Sequence, residues 1–273
     1  MRIIAKTILI LNISIISSTE YYVSGTYGND ENNGTSLSTP FKTIQKAASV
    51  ISYGDICYIR QGLYHEAILL ENNNGENGFP IIFTNYNDEK VVLDGTKLID
   101  SSWQIYSDNI WHTVIDFDIW QLFVDRSEMV MARWPNALFE DGSIWDKENH
   151  WGHGTIDIDE NAYSNGTLID DPHGEVDLEE SGLNIVDAIA ILNVGSFKTW
   201  TRRVLTHSGN IFTYDPVPDW KLKHHDYFLE GKLEFLDNEN EWFFNPETGD
   251  LYFYPPDGLD PNEMNIRGKV QSY

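Results

Sequence analysis

The sequence contains a single cysteine, Cys57, so an internal disulfide is excluded and the fold must be held together by packing and hydrogen bonds. Basic residues are also scarce, because 18 Lys and Arg stand against 43 Asp and Glu, giving a formal net charge of -25. This charge repels nucleic acid and anionic membrane surfaces, and we expect neither as a partner. An anionic polysaccharide would need Ca²⁺ or clustered Arg and Lys at its site, whereas a neutral glycan would not.

Long hydrophobic runs are absent as well, since no stretch after the N-terminus approaches the roughly 18 apolar residues of a membrane span. The N-terminus itself has Arg2 and Lys6, a short apolar run over 8–16 and small residues after it. This order predicts a secretory signal peptide over residues 1–19, with a buried N-terminal strand as the alternative. We therefore expect a secreted protein, extracellular or periplasmic, that is a monomer and has no membrane span in its mature chain.

Residues 39–51 have the pattern of a short amphipathic helix. Thr39 is suited to be the N-cap, with Pro40 at the first helical position. The apolar side chains then recur at helical spacing, at Phe41, Ile44, Ala47, Ala48 and Ile51. A helix of about three turns cannot bury this face alone, so we expect it to cap the open end of a stack of strands.

From Gly54 onward the pattern changes to short β-rich runs separated by turns rich in Gly and Asn. The runs are Ile56–Arg60, Ala67–Leu70, Pro80–Thr84 and Val91–Leu93. Cys57 and Ile81 are 24 residues apart, as are Ile68 and Val92. A repeat of about this length is typical of one coil of a parallel β-helix, although a β-sandwich also has short strands at similar intervals. The fold class predicted is all-β, with a capping helix and the first β-helix coils over residues 20–100.

After residue 100 the strands alternate, contain many Trp and are separated by longer loops. This texture predicts an antiparallel, sandwich-like insert over residues 101–264. Its clearest element is a β-hairpin of Glu241–Asn245 and Asp250–Tyr254, with Gly249 at the turn position that needs a positive φ. Residues 265–273 have the pattern of a further strand without a polar cap, so we expect the β-helix to continue beyond a truncated chain.

Four segments together resemble the N-terminal entry of right-handed parallel β-helix proteins of the pectate-lyase-like superfamily. They are Tyr22-Val-Ser, Gly28-Asn-Asp-Glu-Asn-Asn-Gly-Thr, Pro40-Phe-Lys-Thr-Ile-Gln-Lys-Ala and Gly54-Asp-Ile-Cys-Tyr-Ile-Arg-Gln-Gly-Leu-Tyr. Phe79-Pro-Ile-Ile-Phe and Val92-Leu-Asp-Gly extend the likeness, and Ala132-Arg-Trp-Pro-Asn is similar to members with an early β-sandwich-like insert. Many such proteins are polysaccharide lyases or glycoside hydrolases. The resemblance places their catalytic carboxylates or bases on later coils, so no catalytic residue is assigned here.

The strand pattern of residues 196–204 predicts that Lys198, Trp200 and Arg202 lie on one face. An aromatic ring between two cations is suited to stacking on a sugar while neutralising its carboxylate or sulfate. The alternative is a solvated strand face on which the Lys and Arg side chains cover Trp200. The other Trp and Tyr residues have two interpretations, sugar-stacking platforms or core, and we expect most to be core with one or two exposed.

No cofactor is identified, and the residues suited to metals are few. Asp30 and Asn32 are oxygen ligands of the type that Ca²⁺ takes, but the loop lacks the remaining ligands of an EF-hand, which favours an Asx-rich turn closing on Gly34. His150 and His153, with Asp157, have a spacing seen in zinc sites but lie in a Gly-rich loop. His224-His225 is weaker, because adjacent strand residues point to opposite faces.

Two carboxylate pairs, Asp116 with Asp118 and Asp157 with Asp159, have the spacing that places both groups on one strand face, as glycoside hydrolysis could use. With 43 acidic residues such pairs also arise by chance. The resulting hypothesis is a secreted polysaccharide-degrading β-helix protein whose catalytic residues lie beyond the chain. The acidic balance favours a glycoside hydrolase over a polysaccharide lyase, and the alternative is a non-catalytic glycan-binding or surface-attachment protein.

Overall fold

The computed structural model describes residues 18–70, 78–155, 166–194, 198–217 and 225–270. These residues form an all-β protein with few helices, and its sheets are mainly antiparallel or mixed. The chain divides into two compact units, one ending at Gly95 and the other running from Thr96 to Val270. The predicted signal peptide falls almost entirely on residues outside the described ranges.

Among its described residues, the first unit contains five short strands and one α-helix. They are β1 (Glu20–Val23), α1 (Ile44–Val50), β2 (Ile56–Ile59), β3 (Gly62–Tyr64), β4 (Ile82–Asn85) and β5 (Val91–Leu93).

All strand pairs of the first unit are parallel among the described residues: β1, β2 and β4 form one sheet, and β3 pairs with β5. Cys57 lies opposite Phe83, 26 residues later, and Leu63 lies opposite Val92, 29 residues later, so the observed repeats are longer than the predicted repeat of about 24 residues. Turns of different length join the strands, and such turns change the spacing without changing the parallel register. Ala67–Leu70 forms no strand.

Helix α1 begins four residues later than the sequence indicates and has about two turns. Its N-cap is Thr43, whose hydroxyl accepts a hydrogen bond from Lys46 N at 3.1 Å. Phe41 instead forms a parallel bridge with Val23, which holds the preceding segment extended. The predicted apolar face is confirmed, because all five of its side chains are at most 2% exposed and four of them pack with the strands around Cys57.

In the part of the second unit that the structure describes lie the remaining strands and one short α-helix. They are β6 (Thr96–Leu98), β7 (Gln104–Ser107), β8 (Ile110–Val114), β9 (Leu122–Val124), β10 (Ser127–Met131), β11 (Arg133–Trp134), α2 (Lys147–His150), β12 (Gly152–His153), β13 (Thr167–Ile169), β14 (Ile189–Asn193), β15 (Trp200–Ser208), β16 (Ile211–Tyr214), β17 (Asp226–Glu230), β18 (Glu241–Asn245), β19 (Asp250–Phe253) and β20 (Ile266–Lys269).

These strands form two large sheets. One has the order β6-β20-β9-β10-β18-β19-β8-β7, and the other β11-β17-β14-β15-β16-β13 with β12 also paired to β17. The main core contains Leu192, Phe212 and Tyr227 from the second sheet, and Phe243 and Tyr252 from the first pack against it. The residues that alternate with Phe243 and Tyr252 along β18 and β19 belong to a second core; they are Trp242, Leu251 and Phe253. Both faces of the first sheet are therefore apolar.

The predicted hairpin is confirmed as β18 and β19, in register from Asn245 opposite Asp250 to Trp242 opposite Phe253. Gly249 has φ +78°, and a Cβ there would lie 2.4 Å from the Ile115 carbonyl oxygen. Both the conformation and the close approach require glycine at this turn.

The two ends of the second unit are neighbouring strands. Thr96 of β6 lies opposite Lys269 of β20 in an antiparallel pair. Strand β20 pairs with β6 on one side and with β9 on the other. Residues 266–269 therefore belong to the sheet of the second unit, whereas we expected them to resume a β-helix. Within the described ranges, neither helix approaches the length or hydropathy that crossing a membrane requires.

Candidate functional site

The second unit has a groove lined by aromatic side chains, of about 370 Å³, which we call the aromatic pocket. Its lining comes from strands β10, β11, β17 and β18, from the segment just before β9, and from the residues on either side of α2. The residues are Trp120, Gln121, Glu128, Met129, Val130, Met131, Arg133, Phe139, Ile144, Trp145, Trp151, Phe228, Glu230 and Trp242. An apolar, aromatic wall with a few polar groups is typical of small-ligand sites.

Three rings of this pocket lie at the surface. Trp145 is 76% exposed, Trp120 is 42% exposed and Phe139 is 38% exposed. Trp120 and Trp145 are the two exposed tryptophans among those described, and both lie in this pocket. The expectation of one or two exposed rings among Trp and Tyr together is wrong, because Tyr27, Tyr53 and Tyr106 are exposed as well. Exposed aromatic rings provide flat apolar faces on which the C–H face of a sugar ring can stack.

Arg133 forms a buried part of the pocket wall and is only 1% exposed. Its Nε donates to the Pro135 carbonyl oxygen and its Nη2 to the His150 carbonyl oxygen, both at 2.8 Å, while the guanidinium lies 4.0 Å from the centre of the Phe228 ring. Its Nη1 is buried and has no hydrogen-bond acceptor among the described residues. Burial lowers the pKa of Arg133 to about 10, which still leaves it a cation at neutral pH.

Glu230 lies opposite Arg133 across strands β11 and β17 and lines the same pocket. Part of its side chain touches solvent, but most of the atoms around its carboxyl group are protein. Burial therefore raises the pKa of Glu230 above its usual range, and the charge of Arg133 acts in the opposite direction. The pocket thus brings together a buried cation and a carboxyl group between aromatic rings.

A second, more polar groove of about 580 Å³ adjoins the first, and we call it the acidic pocket. Glu128, Met129, Val130 and Phe139 line both pockets, so the two are continuous. Its remaining lining consists of Val124, Asp125, Ser127, Leu138, Glu140, Asn240, Pro256 and Asp257. Four of the lining residues are carboxylates and none is Lys or Arg, which gives this half a negative field. On the boundary, Gln121 Nε2 donates to Glu128 Oε1 at 2.6 Å.

The predicted cluster of Lys198, Trp200 and Arg202 is brought together, but away from both pockets. Lys198 Nζ lies 5.4 Å and Arg202 Cζ 5.5 Å from the centre of the Trp200 ring. Strand β15 begins only at Trp200, so Lys198 precedes it. Arg202 also donates to the carbonyl oxygens of Thr201, Asp215 and Pro216, and Trp200 packs on the main core.

Asp30 and Asn32 hold the chain that leads into α1. Asp30 Oδ1 accepts from Lys42 N and Thr43 N at 2.8 and 2.9 Å, and Oδ2 accepts from Thr43 Oγ1. Asn32 Nδ2 donates to the Pro40 carbonyl oxygen. These contacts use the side chains for local structure, and Gly34, at φ +72°, takes the turn conformation expected of it.

His150 is the last residue of α2, and His153 lies in the short strand β12. A ring nitrogen of His150 contacts the Asn136 carbonyl oxygen, and a ring nitrogen of His153 contacts that of Lys147. His153 also stacks on His173, with ring centres 3.7 Å apart, and lies edge-on to His225. Across the described residues, no three His, Cys, Asp or Glu side chains are grouped to hold a metal ion. Asp157, Asp159 and His224 lie outside the described ranges.

Asp116 and Asp118 are exposed in the loop after β8. The prediction that the two carboxylates share one strand face is therefore wrong, because neither residue lies in a strand. Asp116 Oδ1 lies 3.6 Å from Nζ of Lys97, another surface group.

The aromatic pocket was not predicted from the sequence, since its residues are dispersed over 120–242. The one pattern that pointed to it was the density of Trp after residue 100.

Comparisons with known proteins bear on the fold. No protein-family profile matches the chain. A solved structure described as a glycoside hydrolase aligns with 93% of this chain and 46% of its own, at a TM-score of 0.65 and 18% identity, which shows a shared fold. A structure of XylC with xylose aligns over 93% of this chain and 32% of its own, at a TM-score of 0.42 and 20% identity.

Among curated proteins, YwoF of Bacillus subtilis, an uncharacterized protein, is 33% identical over 87 residues. That match covers 32% of this chain and 18% of YwoF. The chain thus spans less than half the length of each of these proteins.

Proposed function

We propose that the whole protein acts on carbohydrate and that the second unit of this chain binds a saccharide in the groove formed by the aromatic and acidic pockets. The observation that carries the proposal is the placement of Trp120, Trp145 and Phe139, all exposed, beside Arg133 and Glu230. Stacking rings next to charged hydrogen-bonding groups suit the two kinds of surface that a sugar presents, its apolar C–H faces and its hydroxyl groups.

The whole protein is, in this proposal, a secreted polysaccharide-degrading β-helix protein, a glycoside hydrolase and not a lyase, with its catalytic residues on coils beyond this chain. The parallel pairing of β1, β2 and β4 supports the beginning of a β-helix. The pairing of β6 with β20 supports an inserted second unit, since a domain whose ends lie side by side can interrupt another fold at one point. The fold shared with a glycoside hydrolase structure is consistent with this class of protein.

The alternative is a non-catalytic glycan-binding or surface-attachment protein, for which the same exposed groove is the supporting observation. The two functions differ in turnover. We expect the 273-residue chain to bind a glycan without releasing reducing ends, and a version extended by the following coils to release them. An extended protein that binds but never releases reducing ends would favour the alternative.

The first experiment is a binding screen of the 273-residue chain by isothermal titration calorimetry against cellohexaose, xylohexaose, mannohexaose and hexagalacturonate. Binding of at least one oligosaccharide is expected, with an affinity that falls in Trp145→Ala. Tyr106→Ala is the matched control, because this ring is 54% exposed and lies outside both pockets. Absence of binding by every member of the panel, in a chain shown to be folded, would contradict the proposal.

A further inference from the structure

We propose that the groove selects an uncharged oligosaccharide that spans both pockets, with one sugar held in the aromatic pocket by Arg133 and Glu230 and anionic sugars excluded by the acidic pocket. This inference rests on the proposed function and specifies the chemical class of its ligand. It follows from the hydrogen-bonding capacity left in the aromatic pocket and from the charges around the groove.

The donor is on Arg133. A guanidinium has five N–H groups, and here Nε and Nη2 are engaged with backbone carbonyl oxygens while the face packs on Phe228. These contacts fix the orientation of the group, which is 1% exposed and lines the pocket. Nη1, with no acceptor among the described residues, is then a preorganised donor for a hydroxyl or ring oxygen of a ligand.

The acceptor is on Glu230. Its carboxyl group lies across the strand pair from Arg133, and its side chain accepts no hydrogen bond from the described residues. A donor and an acceptor on adjacent strands match two neighbouring hydroxyl groups of a pyranose, each of which can donate and accept. The exposed ring of Trp145 lines the same pocket and offers a face on which that sugar can stack.

The side chains that line the acidic pocket give it a negative field. Asp125, Glu128, Glu140 and Asp257 line it without a cation, and Glu230 adds a further carboxyl group in the aromatic pocket. A uronate or sulfate entering the acidic pocket would meet this field, and no Lys or Arg is among the residues that line the pocket to compensate the added charge. Neutral hydroxyl groups instead gain acceptors there. The cluster of Lys198, Trp200 and Arg202 is positively charged and would favour anionic sugars. Binding at that cluster would therefore give the opposite preference between neutral and anionic ligands.

The experiment measures the affinities of the neutral hexasaccharides and of hexagalacturonate for the wild-type chain and for four variants. Wild type is expected to bind one neutral member at least tenfold more tightly than hexagalacturonate. Trp145→Ala and Glu230→Gln should each weaken the neutral ligand by about tenfold, the loss expected for one charge-assisted hydrogen bond or one stacked ring. Trp200→Ala and Tyr106→Ala should leave that affinity within about twofold of wild type, which corresponds to less than about 0.5 kcal/mol.

Arg133 is tested without substitution, because its two backbone contacts make variants prone to unfold. In NMR spectra of the wild-type chain, the guanidinium resonances of Arg133 should shift on saturation with the neutral ligand. Those of Arg203, which is exposed and bonded to Asp187, should not. Neutral binding that leaves the Arg133 resonances unchanged would overturn the assignment of the donor.

The selection by charge is tested with the double variant Glu140→Gln/Asp257→Asn. In this variant the ratio of the affinity for the neutral ligand to that for hexagalacturonate should fall several-fold. An unchanged ratio of affinities would contradict this part of the inference. Tighter binding of hexagalacturonate than of every neutral member would overturn the inference while leaving saccharide binding intact. Loss of all binding across the panel would reject the proposed function together with the inference.

Discussion

At the scale of single residues, the second unit buries ionisable side chains away from solvent. Glu241 is fully buried, and its carboxylate accepts long hydrogen bonds of 3.3 to 3.4 Å from Arg133 N, Asp237 N and Asn238 N. Burial outweighs these contacts and raises the pKa of Glu241 to about 8, with the nearby Asp237 acting in the same direction. The folded protein thus keeps a proton on Glu241 at pH values where the unfolded chain has lost it.

This proton predicts a dependence of stability on pH. An acid with a raised folded-state pKa contributes stability that is fully present below the unfolded pKa, near 4.5, and is lost as the pH rises to about 8. Between pH 5.5 and 8, wild type should lose stability relative to Glu241→Gln by up to about 1.4 kcal/mol per pH unit. Urea unfolding of both proteins across this range measures the difference.

Glu247→Gln, a change on the exposed hairpin turn, is the control and should follow wild type at every pH. Parallel curves for wild type and Glu241→Gln would show that Glu241 is ionised in the folded protein. The same buried region contains Arg133, whose contacts hold one wall of the aromatic pocket, so loss of stability at high pH should be accompanied by weaker saccharide binding.

At the scale of elements, helix α1 is fixed by side chains distant in sequence. Asp30 accepts from the backbone amides of Lys42 and Thr43, and Glu66 accepts from those of Ile44 and Gln45 at 2.9 and 2.8 Å. Free N–H groups at a helix N-terminus need such acceptors, and the negative charge is favourable there. Local preference placed the helix start at Thr39 and Pro40, but these two carboxylates supply partners for a start at Thr43.

Asp30→Ala should therefore loosen the start of α1 and destabilise the first unit by about 1 to 3 kcal/mol, because three hydrogen bonds are lost. Hydrogen exchange followed by mass spectrometry should show faster exchange in peptides that cover residues 40–50. Glu31→Ala, a change at the exposed neighbouring residue, is the matched control. Treatment of wild type with a chelator should leave exchange over residues 40–50 unchanged. If exchange became faster and Ca²⁺ then restored the slow rate, Asp30 would be a metal ligand and its assignment to the start of α1 would be wrong.

At the scale of the whole molecule, the second unit has what an inserted domain requires. Two apolar cores lie within it, and its first and last strands, β6 and β20, are paired. A domain with its own core and adjacent ends can fold when it is separated from the chain around it. The first unit, with one smaller core and short parallel strands, has less apolar area to bury.

A protein comprising residues 96–270 alone is thus expected to fold cooperatively and to retain saccharide binding. Near-ultraviolet circular dichroism and the tryptophan emission maximum should match those of the 273-residue chain, because all nine Trp residues lie within 96–270. Thermal unfolding should be a single transition. The complementary protein, residues 20–95, should unfold at a lower temperature. A second unit that remained unfolded in isolation would show that it depends on the first.

Features that depend on neighbours along the chain could be predicted from the sequence. Alternating hydrophobicity predicted the β18–β19 hairpin, because side-chain direction in a strand repeats every two residues. The same spacing predicted the contact of Trp200 with Arg202 in β15, and also that with Lys198, although Lys198 precedes the strand. The apolar face around Ile44 and Ala47 was likewise readable from helical spacing.

Tertiary structure alone decided the order of strands, the start of α1 and the location of the groove. Residues as distant as Trp120, Trp145 and Glu230 meet in one pocket only because β17 pairs with β11, and β18 with β10. Nothing in the local pattern distinguishes an exposed tryptophan from a buried one, since both are apolar and aromatic. That distinction depends on which sheet covers the side chain, and hence on contacts between segments more than 90 residues apart.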